Sequence, residues 1–413
     1  MKPFRPTDSG KFLTLNIERI VPDGYGIGFA DGLTVFVPLT AAGDTIKVRV
    51  DWQKGKIAFA SLIEILKPSA DRVVPLCPFF GRCGGCDFQQ MNYEAQLRAK
   101  AGIIKDALRR IGKIDWQDKI QVVPSPVEWN YRTRVQWKRE GDRLGYFERN
   151  SHRVIDVDLC PILAPALQNE LNNQRENFKK TNFAEVQAVS NETEVSRRFG
   201  RQNAHFDENF YAANKKAGEE EREISINKAK TKEIYQMVGK FTYAFSAATF
   251  FQVNHALLLQ FVETAIGDAN GNLALDLYCG VGLFALPLAK RFTKVLGIEG
   301  NQQSIEFARS NARQARLPNA KFEVAFVGEW LTKNTDNLKS PDLVLLDPPR
   351  TGAERITIAS LLRLKPNQIV YVSCNPATLA RDLQLLLESN VYKIEQITAF
   401  DFFPQTHHVE TIV

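Results

Sequence analysis

Apolar and polar positions change rhythm along the chain, and each rhythm predicts a different layer of structure. Over residues 11–66 they alternate in short runs, KFLTLNIERIV, LTVFVP, TIKVRVDWQ and KIAFASLIEIL, separated by turn signals such as PDGYGIG. A period of two sends successive side chains to opposite faces, so these runs predict strands, and their close spacing predicts a small barrel. Gly24, Gly26 and Gly28 imitate a dinucleotide fingerprint. That fingerprint must open a helix, whereas FADG leads into another strand, so the glycines predict a hairpin that needs positive φ. Next, YEAQLRAKAGIIKDALRRIG carries Leu97, Ala101, Ile104, Leu108 and Ile111 at helical spacing, which predicts one amphipathic helix docked by that stripe. Residues 120–240 mix strand-like runs with polar stretches, and the charged run NKKAGEEEREISINKAKTKE reads as a solvated hairpin or boundary loop.

From residue 241 onward, apolar strands alternate with amphipathic helices: LALDLYC, LFALPLAKR, KVLGIE, NQQSIEFARSNARQARL, KFEVAFV, DLVLLDPP, ITIASLLRL, QIVYVSC and ATLARDLQLLLES. This alternation specifies an α/β fold with a doubly wound parallel sheet. The tail adds YKIEQITAFDFF and HHVETIV, two strands joined by Pro404, Gln405 and Thr406, so the last strand is expected to run antiparallel. Three units follow: an OB-like barrel over 1–67, a central α+β region over 68–240 and a Rossmann-like domain over 241–413.

Length agrees, since 413 residues exceed one ordinary core. No apolar run approaches the roughly 18 residues that span a bilayer, and MKPFRPTDSG lacks the apolar segment of a signal peptide, so no membrane is expected and a cytoplasmic location is. In that compartment six cysteines are read as metal ligands, catalytic thiols or filler rather than as a disulfide framework. A net charge of +6 suits an anionic partner.

The parallel sheet predicts a crevice outside the carboxyl ends of its strands. Its first strand ends Asp276-Leu277-Tyr278-Cys279-Gly280-Val281-Gly282, and Glu299 closes the second, where a carboxylate can accept hydrogen bonds from two ribose hydroxyls. Dinucleotide and S-adenosylmethionine enzymes share that acid. The rigid turn Asp347-Pro348-Pro349-Arg350 after the fourth strand favours the second, because a dinucleotide site has no need of it. The fifth strand ends Val372-Ser373-Cys374-Asn375-Pro376. Carbon 5 of uracil is too electron-poor to attack a methyl sulfonium unaided, and a thiolate adding to carbon 6 creates the enolate that can. A carboxylate must then remove the carbon 5 proton, and an antiparallel last strand would bring Glu410 towards Cys374.

Taken together, DLYCGVGLFALPLA, LLDPPRTG, VSCNPATLARDL and HHVETIV resemble the uracil-5 RNA methyltransferases, particularly the bacterial enzymes that modify 23S ribosomal RNA. The resemblance implies a class I S-adenosylmethionine-dependent fold. It further implies Gln252, Tyr278, Glu299 and Asp347 at the cofactor, Cys374 as nucleophile and Glu410 as base.

Cys77, Cys83 and Cys86 stand in CPFFGRCGGC, with Cys160 in VDLCPIL, and the spacing alone suits zinc or a four-iron, four-sulfur cluster equally. The resemblance implies the 4Fe-4S cluster, since the ribosomal branch carries such a set at the matching place. By the same likeness the barrel resembles a TRAM domain, where Tyr25, Phe29 or Phe36 would stack on RNA bases. A transfer RNA substrate and an inactive RNA-binding iron–sulfur protein are the alternatives, and intact Cys374, Asp347 and Glu410 oppose the second. A cytosine-5 enzyme is disfavoured because Arg350 follows the two prolines where that class carries a proline–cysteine pair.

Overall fold

The computed structural model describes residues 10–177, 183–200 and 231–413. All of the charged run except its last three residues therefore lies outside the described part.

Six strands form the first unit: β1 (Phe12–Asn16), β2 (Arg19–Ile20), β3 (Gly26–Ala30), β4 (Leu33–Val37), β5 (Thr45–Lys54) and β6 (Ile57–Lys67). They hydrogen-bond in the order β1-β5-β6-β4-β3-β2. Alternation sends Leu13, Leu15, Val35, Val37, Ile46, Val48, Val50 and Ala58 inward, and all are buried. The glycine reading holds only in part. Gly24 has φ +76°, but Gly26 and Gly28 lie within β3 without positive φ. They are small for want of space: a Cβ at Gly28 would come 2.4 Å from the Asn16 carbonyl oxygen.

Helix α1 (Tyr93–Arg110) starts where the Asn92 side chain caps the Ala95 amide. Its burial is not the predicted single stripe. Ile104 and Leu108 are buried, Leu97 and Ala101 are half-buried and Ile111 is 40% exposed, while Gln96, Lys100 and Asp106 lie inside. The helix is wedged between two layers. On one side Ala95 and Ile103 meet Ile20, Phe88 and Met91; on the other, Ile104, Ala107 and Leu108 join the catalytic core. Two-sided burial abolishes a one-stripe pattern.

After β7 (Gln121–Val123), a second sheet contains β8 (Arg134–Glu140), β9 (Arg143–Phe147), β10 (Val154–Asp156), β11 (Glu185–Ser190) and β12 (Val195–Gly200), in the order β10-β9-β8-β11-β12. Helix α2 (Pro165–Asn177) covers it with Leu167 and Leu171, against Trp137, Leu144 and Val186. A hairpin of β13 (Ile234–Val238) and β14 (Phe241–Phe245) leads to α3 (Leu258–Ile266).

The remaining elements alternate as expected: β15 (Gly271–Leu277), α4 (Ala285–Leu288), β16 (Phe292–Glu299), α5 (Gln302–Gln314), β17 (Ala320–Val324), α6 (Val327–Asn334), β18 (Leu343–Leu346), α7 (Arg355–Leu364), β19 (Gln368–Ser373), α8 (Pro376–Leu387), β20 (Thr398–Phe400) and β21 (Glu410–Ile412). Their sheet runs β17-β16-β15-β18-β19-β21-β20-β7. Strands β15 to β19 pair in parallel, whereas β21 runs antiparallel between β19 and β20. The strand order reverses between β15 and β18, which is where an open α/β sheet leaves a ligand crevice. The edge strand β7 comes from the region read as central and pairs in parallel with β20. Among the described residues no helix is long and apolar enough to cross a membrane.

Candidate active site

The crevice floor is the turn after β15. Tyr278 takes φ +63°, and the Tyr278 and Cys279 amides donate to the Ile298 carbonyl at 2.8 and 3.1 Å. Gly280 (φ +53°) then donates to Glu299 Oε2 at 3.2 Å, while Glu299 Oε1 accepts from the Asn301 amide at 2.7 Å. These bonds fix the carboxylate between the glycine turn and the start of α5, whose cap is Asn301. A Cβ at Gly280 would meet no atom within 4 Å, so the turn exposes bare backbone to open space. The ring of Tyr278 packs beside the core of Leu277, Val327 and Leu346, and burial pushes its hydroxyl up to about 12.

Asp347 follows β18, its amide donating to the Leu277 carbonyl at 3.2 Å. Burial and then the charge of Glu299 push its carboxyl up to about 7. Fully buried Asp276, which the sequence reading did not single out as a site residue, is driven well above the usual carboxylate range by burial, Asp347 and Glu299. Three acids thus influence one another at the carboxyl ends of β15, β16 and β18. A sulfonium cation suits that donor set.

The second half of the site is the seam between β19 and β21. Strand β19 stops at Ser373, and Asn375 caps α8 by accepting from the Ala377 amide at 3.0 Å, with Pro376 in the first helical position. Cys374 is the single residue between strand and cap. Ser373 pairs with Thr411 and Val372 with Ile412, a register that puts Glu410 beside Cys374. The Asp347-Pro348-Pro349-Arg350 turn is tied to the same helix start, because Asn375 Nδ2 and Thr378 Oγ1 both donate to the Arg350 carbonyl, at 3.1 and 3.2 Å.

Electrostatics agree with the backbone register. Burial, then the charges of Glu410 and Asp347, push the Cys374 thiol strongly up, and the Arg350 guanidinium opposes them. Burial and Asp347 push Glu410 up to about 8, again against Arg350. Cys374, Glu410, Asp347 and Arg350 therefore influence one another as one group, and Arg350 is a member to which the sequence assigns no catalytic role. Gln252 is buried in the segment between β14 and α3, and its carbonyl accepts a long 3.5 Å bond from Thr133 Oγ1. Its place at the cofactor rests on resemblance.

Cys77, Cys83, Cys86 and Cys160 all line one apolar pocket with Phe79, Tyr146 and Arg132. Gly85 N donates to Cys83 Sγ at 3.4 Å and the Tyr146 hydroxyl to Cys160 Sγ at 3.8 Å. Burial raises all four thiols, Cys83 to about 11. Among the described residues, no three His, Cys, Asp or Glu side chains close around one ion. On the outward face of the six-stranded sheet, Phe36 stacks on Phe59 at 5.1 Å, with Tyr25 edge-on at 5.5 Å and Trp52 at 5.8 Å. Phe29 is 50% exposed.

The strand order, the acid-lined crevice and the glycine turn define a class I methyltransferase fold dependent on S-adenosylmethionine. A family model described as tRNA (uracil-5-)-methyltransferase matches residues 215–413. The 23S rRNA (uracil(1939)-C(5))-methyltransferase RlmD of Shewanella halifaxensis is 33% identical over 436 residues, covering 100% of this chain and 97% of its own. An uncharacterized RNA methyltransferase of Aquifex aeolicus is 33% identical over 419 residues, 97% of this chain and 98% of its own. The crystal structure of Pyrococcus abyssi tRNA (uracil-54, C5)-methyltransferase with S-adenosyl-L-homocysteine superposes with a TM-score of 0.71 at 28% identity, covering 96% of this chain and 99% of that one. The chain belongs to the RNA uracil-5 methyltransferase family.

Proposed function

We propose that the protein methylates carbon 5 of a uridine in 23S ribosomal RNA, with Cys374 as covalent nucleophile and Glu410 as base. The observation that carries this reading is the β19–β21 register, which brings a thiol and a carboxylate together at the mouth of the crevice. Bound S-adenosylmethionine supplies the methyl group as an electrophile. Tyr278, Glu299 and Asp347 hold it, with Gln252 added on the family's pattern.

The chain's own groups then act in order. Cys374 first loses its thiol proton to solvent; the thiolate Sγ then forms a bond to carbon 6, and the electron pair of the 5,6 double bond moves into an enolate. Carbon 5 takes the methyl group. Glu410 removes the carbon 5 proton, the double bond re-forms and Cys374 leaves. A raised pKa makes Glu410 a stronger base once ionised, and Arg350 favours the anionic forms of both partners. A uridine paired within a helix cannot reach this seam, so the target is expected to be a loop base or one flipped out.

The cysteine pocket is read as the seat of a 4Fe-4S cluster held by Cys77, Cys83, Cys86 and Cys160. Support comes from four thiols converging where no carboxylate lines the wall. The first six strands are read as a TRAM-like RNA-binding barrel, with Tyr25 and Phe36 joined by Trp52 and Phe59 as the stacking surface.

The full-length likeness to a 23S enzyme favours ribosomal RNA, and the superposition on a transfer RNA enzyme favours a second reading, transfer RNA. Mapping 5-methyluridine in both RNA classes from cells with and without the gene tests them. Loss of one 23S site supports the first reading, loss confined to transfer RNA replaces it with the second, and loss in neither overturns both.

A further inference from the structure

The loop between β20 and β21 runs from Asp401 to Val409 and delivers Glu410 to the seam. Strand β21 is only three residues long, so the approach of this loop governs where the Glu410 carboxylate stands. The loop takes its position from residues some 300 positions earlier. Asp87 Oδ1 accepts the His407 amide at 2.8 Å, and Asp87 Oδ2 meets His407 Nδ1 at 2.5 Å. The Asp87 and Phe88 amides both donate to the Gln405 carbonyl, at 3.1 and 3.0 Å. Gln405 adopts φ +70°, which a side-chain-bearing residue resists, and a reciprocal amide pair with Gln96 on α1 holds it there at 2.8 and 3.0 Å. The Tyr131 hydroxyl donates to the Pro404 carbonyl at 2.9 Å. The barrel closes the joint from outside, since a Cβ on Gly24 would come 2.7 Å from Asp87 Oδ2.

Asp87 follows Cys86, whose thiol lines the cysteine pocket. Barrel, cysteine segment and catalytic domain thus meet at one carboxylate that touches neither the crevice acids nor Cys374. We propose that Asp87 is a positioning residue: through His407 and the Gln405 turn it sets the Glu410 carboxylate against the methylated carbon 5. This gives the cysteine pocket a route to the chemistry that bypasses the cofactor crevice, and it rests on the reading of Glu410 as base.

A misplaced base slows proton removal after the methyl group has already moved. Full-length Asp87→Ala, purified without oxygen, should release product about 10- to 100-fold more slowly. S-adenosylmethionine affinity by calorimetry should stay within about twofold of wild type, because nothing at the crevice has moved. An RNA adduct surviving denaturing electrophoresis should accumulate, which general loosening of the fold would not produce. Asp87→Asn keeps an acceptor for the His407 amide and should recover most of the release rate. Gln96→Ala breaks the same turn from α1 without touching the cysteine segment, so it decides the matter if Asp87→Ala does not fold. Normal release without adduct in Gln96→Ala, or loss of cofactor affinity in step with turnover, overturns the proposal. Glu410→Gln separates the two ideas. If it releases product normally, the base assignment itself is wrong; if it stalls while Asp87→Ala and Gln96→Ala do not, only the positioning role fails.

Discussion

Glu410 stands beside Cys374 across the antiparallel seam of β19 and β21, and its charge is the largest contribution after burial to keeping that thiol protonated. Replacing Glu410 by Gln removes this repulsion, so nucleophilic attack is not hindered. Only removal of the carbon 5 proton lacks its acceptor. Glu410→Gln should therefore accumulate a methylated enzyme–RNA adduct stable to denaturing electrophoresis, and Cys374→Ala should give neither adduct nor methylated RNA. Methylation by Cys374→Ala would end the covalent mechanism.

Asp347 is raised to about 7 and Glu410 to about 8, both mainly by burial. A carboxyl raised in the folded state binds its proton more tightly there than in the unfolded chain. Its contribution to stability is thus complete below the ordinary carboxylate range near pH 4 and is lost as pH rises through 7 and 8. Cofactor-free protein should melt at falling temperature from pH 5 to pH 9, and Asp347→Asn should flatten part of that slope. Cofactor binding should run the other way. A sulfonium prefers the ionised acid, so affinity should rise with pH through about 7 with release of protons, measured by calorimetry in two buffers of different ionisation heat. Affinity independent of pH would mean that Asp347 does not face the cation.

The sheet and the direction of its last strand were legible because buried parallel strands leave apolar runs and a tail hairpin leaves a turn between two more. The places of Cys374 and Glu410 were legible for the same reason, since one directly follows β19 and the other opens β21. What could not be read has partners remote in sequence. Gln96, Lys100 and Asp106 interrupt the apolar period of α1, and their burial makes sense only beside Gln405, Asp401 and Arg19. The three residues of β7 are too few to show a period, and the Asp87–His407 pair spans 320 positions. Trp52 and Phe59 fall on the half-exposed face of β5 and β6, as a period of two along those strands implies.

Glu299 holds its carboxylate on the Gly280 and Asn301 amides, oriented towards the bare backbone of the glycine turn. Glu299→Gln replaces one acceptor oxygen by a donor and removes the charge. Hydrogen bonds to charged acceptors contribute roughly 1.5 to 3 kcal/mol, so cofactor affinity should fall about 10- to 150-fold. Wild-type affinity by calorimetry would remove Glu299 from the crevice.

Protein purified without oxygen should be brown, with broad visible absorbance and iron and sulfide in equal amounts, because four cysteines lining one pocket should hold iron and sulfide. Cys83→Ser should lose the colour and weaken stability or RNA binding more than cofactor binding, since its pocket lies apart from the glycine turn. Colourless protein with stoichiometric zinc would replace the cluster by a single ion.

Lys100 and Asp401 form an ion pair with both side chains fully buried, and Lys100 Nζ also donates to the Phe403 carbonyl at 3.0 Å. Burial lowers the pKa of Lys100, which Asp401 partly restores. Removing one member of such a pair leaves the other charge without compensation. Lys100→Met should therefore cost about 3 to 5 kcal/mol, read as a lower urea midpoint at unchanged slope. Removing both charges is a different experiment, because no ion remains to be desolvated. A Lys100→Met, Asp401→Leu double variant should recover much of that loss while still lacking the bond to Phe403, so its stability should return before its product release does. Equal stability of the single variant and wild type would mean that water reaches Asp401, and that the pair joining α1 to the 401–409 loop holds it only weakly.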